Sequence, residues 1–324
     1  MVDKVFMIAE AGINHNGNFK TAKKLIFLSK KAGADAVKFQ LFNTDFFINR
    51  DKMPKVYNRF KNLEFKYSEW QKLKTYAKKI KIKFFFSVFD EQSVALCKKM
   101  QINLIKVPSG EINNENLLKL INKNKCDVIV STGMSSFYEI KNAVKILKNC
   151  NISLLHCLSE YPTKTKNLNL NFIKTLKEIP RISRIGFSDH SNSVVLPSVS
   201  VALGAKIIEK HFTHNKTLKL GDHKISLNFR EFKEMSENIR ETSLALGENK
   251  KIISKDEKKL SSAARKGLYA IKDIKVGEKL NNKNLGYLRP INNLNSINNI
   301  NEIIGRTSKS EILIYKEIIK NDLT

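Results

Sequence analysis

Eight short apolar runs in this chain each end in groups that can do chemistry, and those groups are of few kinds: ammonium, hydroxyl, carboxylate and imidazole. The first run ends in Glu10, with Asn14, His15 and Asn16 beyond it, and the second carries Lys38 and Gln40. The third ends in Ser87 and Asp90, the fourth in Lys106, Ser109 and Glu111, and the fifth in Ser131 and Thr132. The sixth gives His156, Cys157, Ser159, Glu160 and Tyr161, the seventh Ser188, Asp189 and His190, and the eighth Glu209, Lys210, His211, Thr213 and His214. Taken singly, a strand lysine is usually a solvated edge residue and a lone histidine a satisfied hydrogen-bonding group. Eight runs ending this way call for a shared polar cluster, because an unpaired buried charge is expensive. Lys38 and Lys106, with the hydroxyls of Ser87, Ser109 and Ser131, suit a phosphate: two point charges and several neutral donors. His190 and His211 could share a divalent metal, and Glu209, two residues before His211, points the same way along a strand. Glu10 and Glu111 are candidate acid–base groups. The set suggests metal-assisted chemistry on a small phosphorylated anion.

The elements that must position these residues follow from periodicity. The runs are Val5–Asn14, Ala36–Phe42, Phe84–Phe89, Leu104–Ser109, Val128–Thr132, Ile152–Ser159, Ile185–His190 and Lys206–Thr213. Between and after them lie helical patterns such as Thr21–Lys31, Tyr67–Lys79, Phe137–Lys148 and Phe229–Leu246. This alternation over residues 1–247 predicts a (β/α)₈ TIM barrel of the α/β class, with its site at the C-terminal ends of the strands. A doubly wound open sheet gives the same alternation, but no GxGxxG follows the first run, which counts against a dinucleotide fold. The connection from Asn43 to Lys66 is long, and its Phe46, Phe47, Tyr57, Arg59 and Phe60 are compatible with covering a polar ligand. After Gly247 the pattern changes. Residues 248–262 are polar and lysine-rich and read as a linker. Residues 263–324 read as a small unit of short strands and turns, with an asparagine-rich loop expected at 292–301. A unit of that size is marginal alone and is expected to pack against a barrel, its own or a partner's.

Composition narrows the function classes. The chain has 324 residues, 42% of them hydrophobic and 27% charged, which excludes wholesale disorder. There is no apolar stretch of membrane-spanning length and no signal-peptide pattern at Met1–Glu10, so no membrane role and a cytoplasmic location are expected. Cys97, Cys126, Cys150 and Cys157 form no CxxC pair and read as reduced, buried thiols. The net charge of +27 could mean nucleic acid, yet only nine of the 58 basic residues are arginine and no aromatic-interleaved basic motif occurs. No nucleic-acid partner is expected; the lysines read mainly as a solvated surface that draws anions toward a cleft.

The polar run-ends match something specific. Glu10–Gly17 (E-A-G-I-N-H-N-G), Val37–Gln40, Lys106–Glu111, Ser131–Met134, Gly186–His190 and Glu209–Thr213 resemble, in order and spacing, the motifs of the N-acetylneuraminate (sialic acid) synthase family, which includes legionaminate and pseudaminate synthases. Ala264-Arg265-Lys266 and Leu288-Arg289-Pro290 resemble parts of that family's C-terminal antifreeze-like (SAF, β-clip) domain. The resemblance implies a homodimer in which each C-terminal domain caps the partner's barrel. It implies condensation of phosphoenolpyruvate with an open-chain N-acetylated amino sugar, with water adding to carbon two and phosphate leaving by C–O cleavage. It implies that His190 and His211 hold a divalent metal, usually manganese, with magnesium or cobalt as substitutes. It places phosphoenolpyruvate on Lys38, Ser87, Lys106, Ser109, Ser131 and Ser188. Glu10 would orient the reacting centre or shuttle a proton, with Gln40 and Glu111 in support and Glu209 beside the metal. Tyr161, Asp222 and, from the partner subunit, Arg289 would meet the sugar.

Three positions depart from the family pattern: Val88 stands where a proline is usual, Gly221 precedes Asp222 where members carry proline, and Ile291 replaces a glycine after Arg289-Pro290. All lie on the sugar side. Ser159-Glu160-Tyr161 resembles the legionaminate or bacterial sialate branch more than the pseudaminate branch. Two other functions compete with this reading: a barrel aldolase, metal-dependent or with Lys38 or Lys106 as a Schiff-base nucleophile, and a non-catalytic homologue that binds anionic polymer.

Overall fold

The structure, a computed structural model, describes residues 4–291, 297 and 299–324. Most of the expected asparagine-rich loop lies outside the described residues. The chain divides into two compact units, 1–247 and 248–324.

The first unit is a closed parallel barrel of eight strands: β1 (Phe6–Gly12), β2 (Ala36–Leu41), β3 (Lys83–Val88), β4 (Leu104–Val107), β5 (Asp127–Ser131), β6 (Asn151–Cys157), β7 (Ile182–Asp189) and β8 (Ile207–His211). β8 returns to β1, with Phe6 opposite Ile207 and Glu10 opposite His211, so no edge is left and an open sheet is ruled out. The strands read as continuous apolar runs because both faces are buried. Alternate residues point into the barrel and toward the surrounding helices.

The helices carry readable ends. Helix α1 (Phe19–Lys31) starts at Asn18, whose side chain accepts the Thr21 N–H at 3.0 Å. It buries Ala22, Leu25, Ile26 and Ser29, the one-face spacing of an amphipathic helix. Burying Leu25 and Ile26 contributes about 1.5–3 kcal/mol each. The long connection after β2 is not irregular: it holds α2 (Thr44–Phe47) and α3 (Pro54–Lys61). Phe47 and Phe60 pack there with Ile13, Phe42, Leu63 and Phe89 in a small apolar cluster. Helix α4 (Tyr67–Lys79) brings Trp70 against Phe39 and Phe86, and His15 packs against Phe39, Phe65 and Trp70. The circuit continues through α5 (Glu91–Lys99), α6 (Glu115–Lys123), α7 (Phe137–Ile146), α8 (Phe172–Lys177), α9 (Leu196–Ala202) and α10 (Phe229–Leu246).

The segment read as a linker contains α11 (Lys255–Ala264), opened by a capping box of Ser254 and Glu257. None of its residues is buried, which is why no apolar periodicity marks it. Beyond it β9 (Gly267–Ala270) and β10 (Leu285–Leu288) pair antiparallel, and Leu268, Ile274, Leu280, Leu285, Ile312 and Ile318 form a small core. Ile291 donates its N–H to Ser262 at 3.2 Å, and its backbone is not left-handed. Among the described residues, no helix is long and apolar enough to cross a membrane.

One polar contact lies outside the barrel wall. Asp189 and Lys210 have the opposite parity to the inward residues of β7 and β8, and both side chains are wholly buried. Lys210 Nζ sits 2.5 Å from Asp189 Oδ2, and Asp189 also accepts the Ser191 N–H at 2.8 Å. Removing one partner strands a buried charge. Asp189→Ala should therefore cost about 3–5 kcal/mol in urea unfolding, whereas the double replacement Asp189→Leu/Lys210→Met should cost far less. A loss below about 1 kcal/mol for the single variant would show that the pair is not a stabilising constraint.

Candidate active site

At the C-terminal mouth of the barrel the inward side chains enclose a cavity of about 270 Å³. Its lining includes Glu10, Lys38, Gln40, Ser87, Lys106, Ser109, Ser131, Tyr161, Ser188, His190, Glu209 and His211. Twelve of the fifteen residues singled out from the sequence therefore share one space. Strand parity explains it: Gln40 lies opposite Ser87, Ser87 opposite Lys106, and Ser188 opposite Glu209, so like faces meet around the ring.

The charges are arranged unequally. Lys38 Nζ lies 2.5 Å from Glu10 Oε2, donates to Ser87 Oγ at 2.5 Å and is 3.8 Å from Glu209 Oε2. Among the described residues Lys106 bonds only neutral oxygens, Ser131 Oγ at 2.7 Å and the Val107 carbonyl at 3.1 Å. Both ammonium groups are almost fully buried. Burial pulls the Lys106 pKa down, against the attraction of Glu209. The two carboxylates are driven apart. Burial pushes Glu10 up to about 7 despite the opposing pull of Lys38. Burial also acts on Glu209, but there Lys106 and Lys38 outweigh it and hold the group below its usual value. One carboxylate thus carries a proton near neutrality while its neighbour stays ionised, the division that acid–base chemistry needs.

Hydroxyls complete the cradle. Ser188 donates to Glu209 Oε1 at 3.1 Å, and Ser109 Oγ accepts the Gly133 N–H at 3.1 Å. Ser109 also lies 3.5 Å from the thiol of Cys157, which is 3.9 Å from His190 Nδ1. Cys157 lines the cavity, although its sequence context suggested only a buried thiol. Its parity with Ser188, directly opposite on β7, is the signal that would have found it.

The two imidazoles face each other with ring centroids 5.3 Å apart. His190 Nδ1 is 2.6 Å from the Leu158 carbonyl, which places a proton on Nδ1, and against burial the Cys157 thiol, that carbonyl and Glu209 raise the His190 pKa above its ordinary value. His211 Nδ1 is buried and has no hydrogen-bond partner among the described residues, lying 3.7 Å from Asp222 Oδ2. Burial, with His190 and the nearby lysines, drives the His211 pKa well below its ordinary value, so the ring is neutral. The neutral His211, with its orphaned nitrogen, and His190 beside it at the cavity wall fit a divalent cation as a pair of nitrogen ligands, the ion displacing any proton His190 carries. Among the described residues, no group of three or more His, Cys, Asp or Glu side chains is placed to hold a metal ion, so the two histidines are the candidate ligands here.

The remaining three expected site residues are placed differently. Asp222 adjoins the mouth in a side recess with Tyr161, Lys219 and Gly221. A Cβ built on Gly12 would meet Glu10 Oε1 at 3.2 Å, Gln40 Nε2 at 3.4 Å and Asp222 Oδ2 at 3.6 Å, so these three side chains converge over a bare backbone. Glu111 does not line the cavity; its carboxylate accepts from Asn114 Nδ2 at 2.8 Å. Arg289 lies just past β10 in the second unit and is exposed. His15 and His156 are core histidines: the first sits among aromatic rings, and the second is bonded to the Leu168 carbonyl at 2.6 Å. Gly221 has φ +90°, which proline cannot adopt, so its replacement of proline accompanies a changed turn.

A sequence model of the NeuB family matches residues 25–251. The N,N'-diacetyllegionaminic acid synthase of Campylobacter jejuni is 38% identical over 97% of this chain and 98% of its own length. The pseudaminic acid synthase of the same organism is 36% identical over 95% and 94%. Among solved structures, the N-acetylneuraminic acid synthetase of Leptospira borgpetersenii superposes with a TM-score of 0.73 at 34% identity, covering 79% of this chain and 90% of that one.

The Glu10 carboxyl gives a direct check on the site's electrostatics. In chelator-treated, substrate-free protein its ¹³C resonance should titrate near 7, with the proton bound below that pH and lost above it. Lys38→Met should raise the midpoint further, since the chief opposing attraction is gone. A midpoint at the ordinary 4.5 would mean that burial does not dominate.

Proposed function

The chain belongs to the NeuB family of sialic-acid-type synthases and is an enzyme of the transferase class; on that premise we propose that it condenses phosphoenolpyruvate with the open-chain form of an N-acetylated amino sugar. The observation that carries the proposal is the buried pair Lys38 and Lys106, the second bonded to neutral oxygens, ringed by serine hydroxyls. A small multiply charged anion supplies what that mouth lacks. Lys38, Ser87, Lys106, Ser109, Ser131 and Ser188 hold the phosphate and carboxylate of phosphoenolpyruvate. Its carbon three forms the new bond to the aldehyde carbon of the sugar. Water adds at carbon two, inorganic phosphate leaves with the bridging oxygen, and the product is a nine-carbon 2-keto acid.

Glu10, able to carry a proton near neutrality, delivers it to the developing alkoxide, and Gln40 orients the same centre. Glu209, kept ionised, balances the two lysines and accepts from Ser188. His190 and His211 are the proposed holders of a divalent ion, manganese by preference. When bound, that ion polarises the acceptor aldehyde as a Lewis acid. Tyr161 and Asp222 bind the sugar beside the cradle. Arg289 is the remaining proposed acceptor contact, supplied by a second copy of the chain in a homodimer whose C-terminal, antifreeze-like units are exchanged. The acceptors proposed are N-acetylmannosamine and the 2,4-diacetamido-trideoxyhexoses; the similarity to a legionaminic acid synthase and the Ser159-Glu160-Tyr161 segment favour the latter.

One observation favours a second reading: the depressed pKa of buried Lys106 is what a Schiff-base lysine requires. Borohydride trapping with pyruvate separates the two, since only an imine leaves a stable adduct.

The test is phosphate release from phosphoenolpyruvate across a panel of N-acetylated sugars, with and without a chelator. Release that depends on sugar and is abolished by chelator is expected, and His190→Ala or His211→Ala should abolish it while the fold persists. Wild-type rates in either variant would remove the metal assignment. Lys106→Met should raise the KM for phosphoenolpyruvate by roughly 10–100-fold, the loss of one charge-assisted contact. Arg289→Ala should weaken the sugar more than phosphoenolpyruvate, and equal weakening would contradict its placement.

A further inference from the structure

Asp222 stands on the connection between β8 and α10, and an acidic group on a loop can be no better aimed than its backbone. Two hydrogen bonds hold that backbone. The Asp222 N–H donates to Asn14 Oδ1 at 2.8 Å, and the Asp222 carbonyl accepts from Ser226 Oγ at 2.6 Å. Both trace to one side chain, because Asn14 Nδ2 donates to Ser226 Oγ at 2.9 Å. The same Nδ2 donates to the Phe212 carbonyl, also at 2.9 Å, and Phe212 directly follows His211. Asn14 is fully buried, and its own N–H is bonded back to the Ala11 carbonyl at 2.9 Å, so it sits on a fixed turn beyond β1. A Cβ on Gly221 would come within 2.9 Å of Asn14 Oδ1 and 3.3 Å of Asn16 Oδ1, so the loop passes tightly over these two amides. Asn16 adds a second anchor, with its Nδ2 3.1 Å from His223 Nε2, while Thr213 Oγ1 is 2.7 Å from His223 Nδ1.

We infer that Asn14 is a positioning residue for the acceptor subsite: its amide clamps the backbone of Asp222 to the strand end that carries His211. The inference rests on the proposed role of Asp222 in binding the sugar. Asn14 lines neither the main cavity nor the side recess, so it acts through Asp222 and not on substrate. Both Nδ2 hydrogens and the Oδ1 acceptor are in use, and alanine replaces none of these bonds.

The test uses the full chain with Asn14→Ala, Asp222→Ala and the double variant. KM is measured for both substrates, and exchange is followed at the Asp222 amide. Asn14→Ala should raise the acceptor KM roughly tenfold and leave that of phosphoenolpyruvate within about twofold. Exchange at the Asp222 amide should accelerate by roughly a hundredfold. In the Asp222→Ala background the Asn14 substitution should add nothing further to the acceptor KM. Unchanged amide exchange, additive losses, or equal rises for both substrates would overturn the clamp. Faster exchange together with a wild-type acceptor KM in Asp222→Ala would instead uphold the clamp and overturn the role given to Asp222. Should Asn14→Ala not fold, Ser226→Ala removes the carbonyl side of the clamp and should give the same substrate split at smaller size; no split would count against the inference.

Discussion

Two ammonium groups taken out of water govern the catalytic end of this barrel. Closing the sheet puts Lys38 and Lys106 where solvent cannot stabilise them, at an effective cost of several kcal/mol per ion. Lys38 is met by Glu10 and at longer range by Glu209, whereas Lys106 is hydrogen-bonded to a hydroxyl and a carbonyl. The carboxylates that share this space cannot all ionise freely, which separates Glu10 from Glu209 in proton affinity. The serines answer the same need, since neutral donors and acceptors tolerate burial better than further charge. The anion proposed as substrate, with its several negative oxygens, would complete the arrangement.

The barrel wall supports that mouth from its other side. Ser188 on β7 and His190 just past its end face inward, while Asp189 between them faces out to Lys210, which lies between inward-facing Glu209 and His211. One buried ion pair therefore braces the two strand ends that carry both imidazoles. Asn14 does comparable work for the next loop, tying Asp222 to Phe212. Precision at the cavity comes from residues that never enter it.

Much of this was legible in the sequence because strand parity is strict. Glu10, Lys38, Ser87, Lys106, Ser131, Ser188 and Glu209 sit on apolar runs at spacings that allow one facing direction. Cys157 follows the same parity, but a thiol in an apolar run carries no polar signal. Glu111 lies outside the cavity lining because Lys106–Glu111 extends past β4 into a tight turn, where alternation no longer sets direction. Helix α11 left no apolar trace because none of its residues is buried. The clamp at Asn14 joins residues some two hundred positions apart, so no local pattern reveals it. The shift at Gly221 was visible as a residue type, but its meaning, a positive φ over two asparagine amides, needed the backbone.

The cationic mouth is proposed to hold phosphoenolpyruvate for condensation with loss of phosphate by C–O cleavage. Phosphoenolpyruvate labelled with ¹⁸O at the bridging position, turned over with the accepted sugar, tests this most directly. The label should leave in inorganic phosphate, one atom per turnover, with formation of the nine-carbon keto acid. Label retained in the organic product, or keto-acid formation from pyruvate without phosphate release, would contradict it.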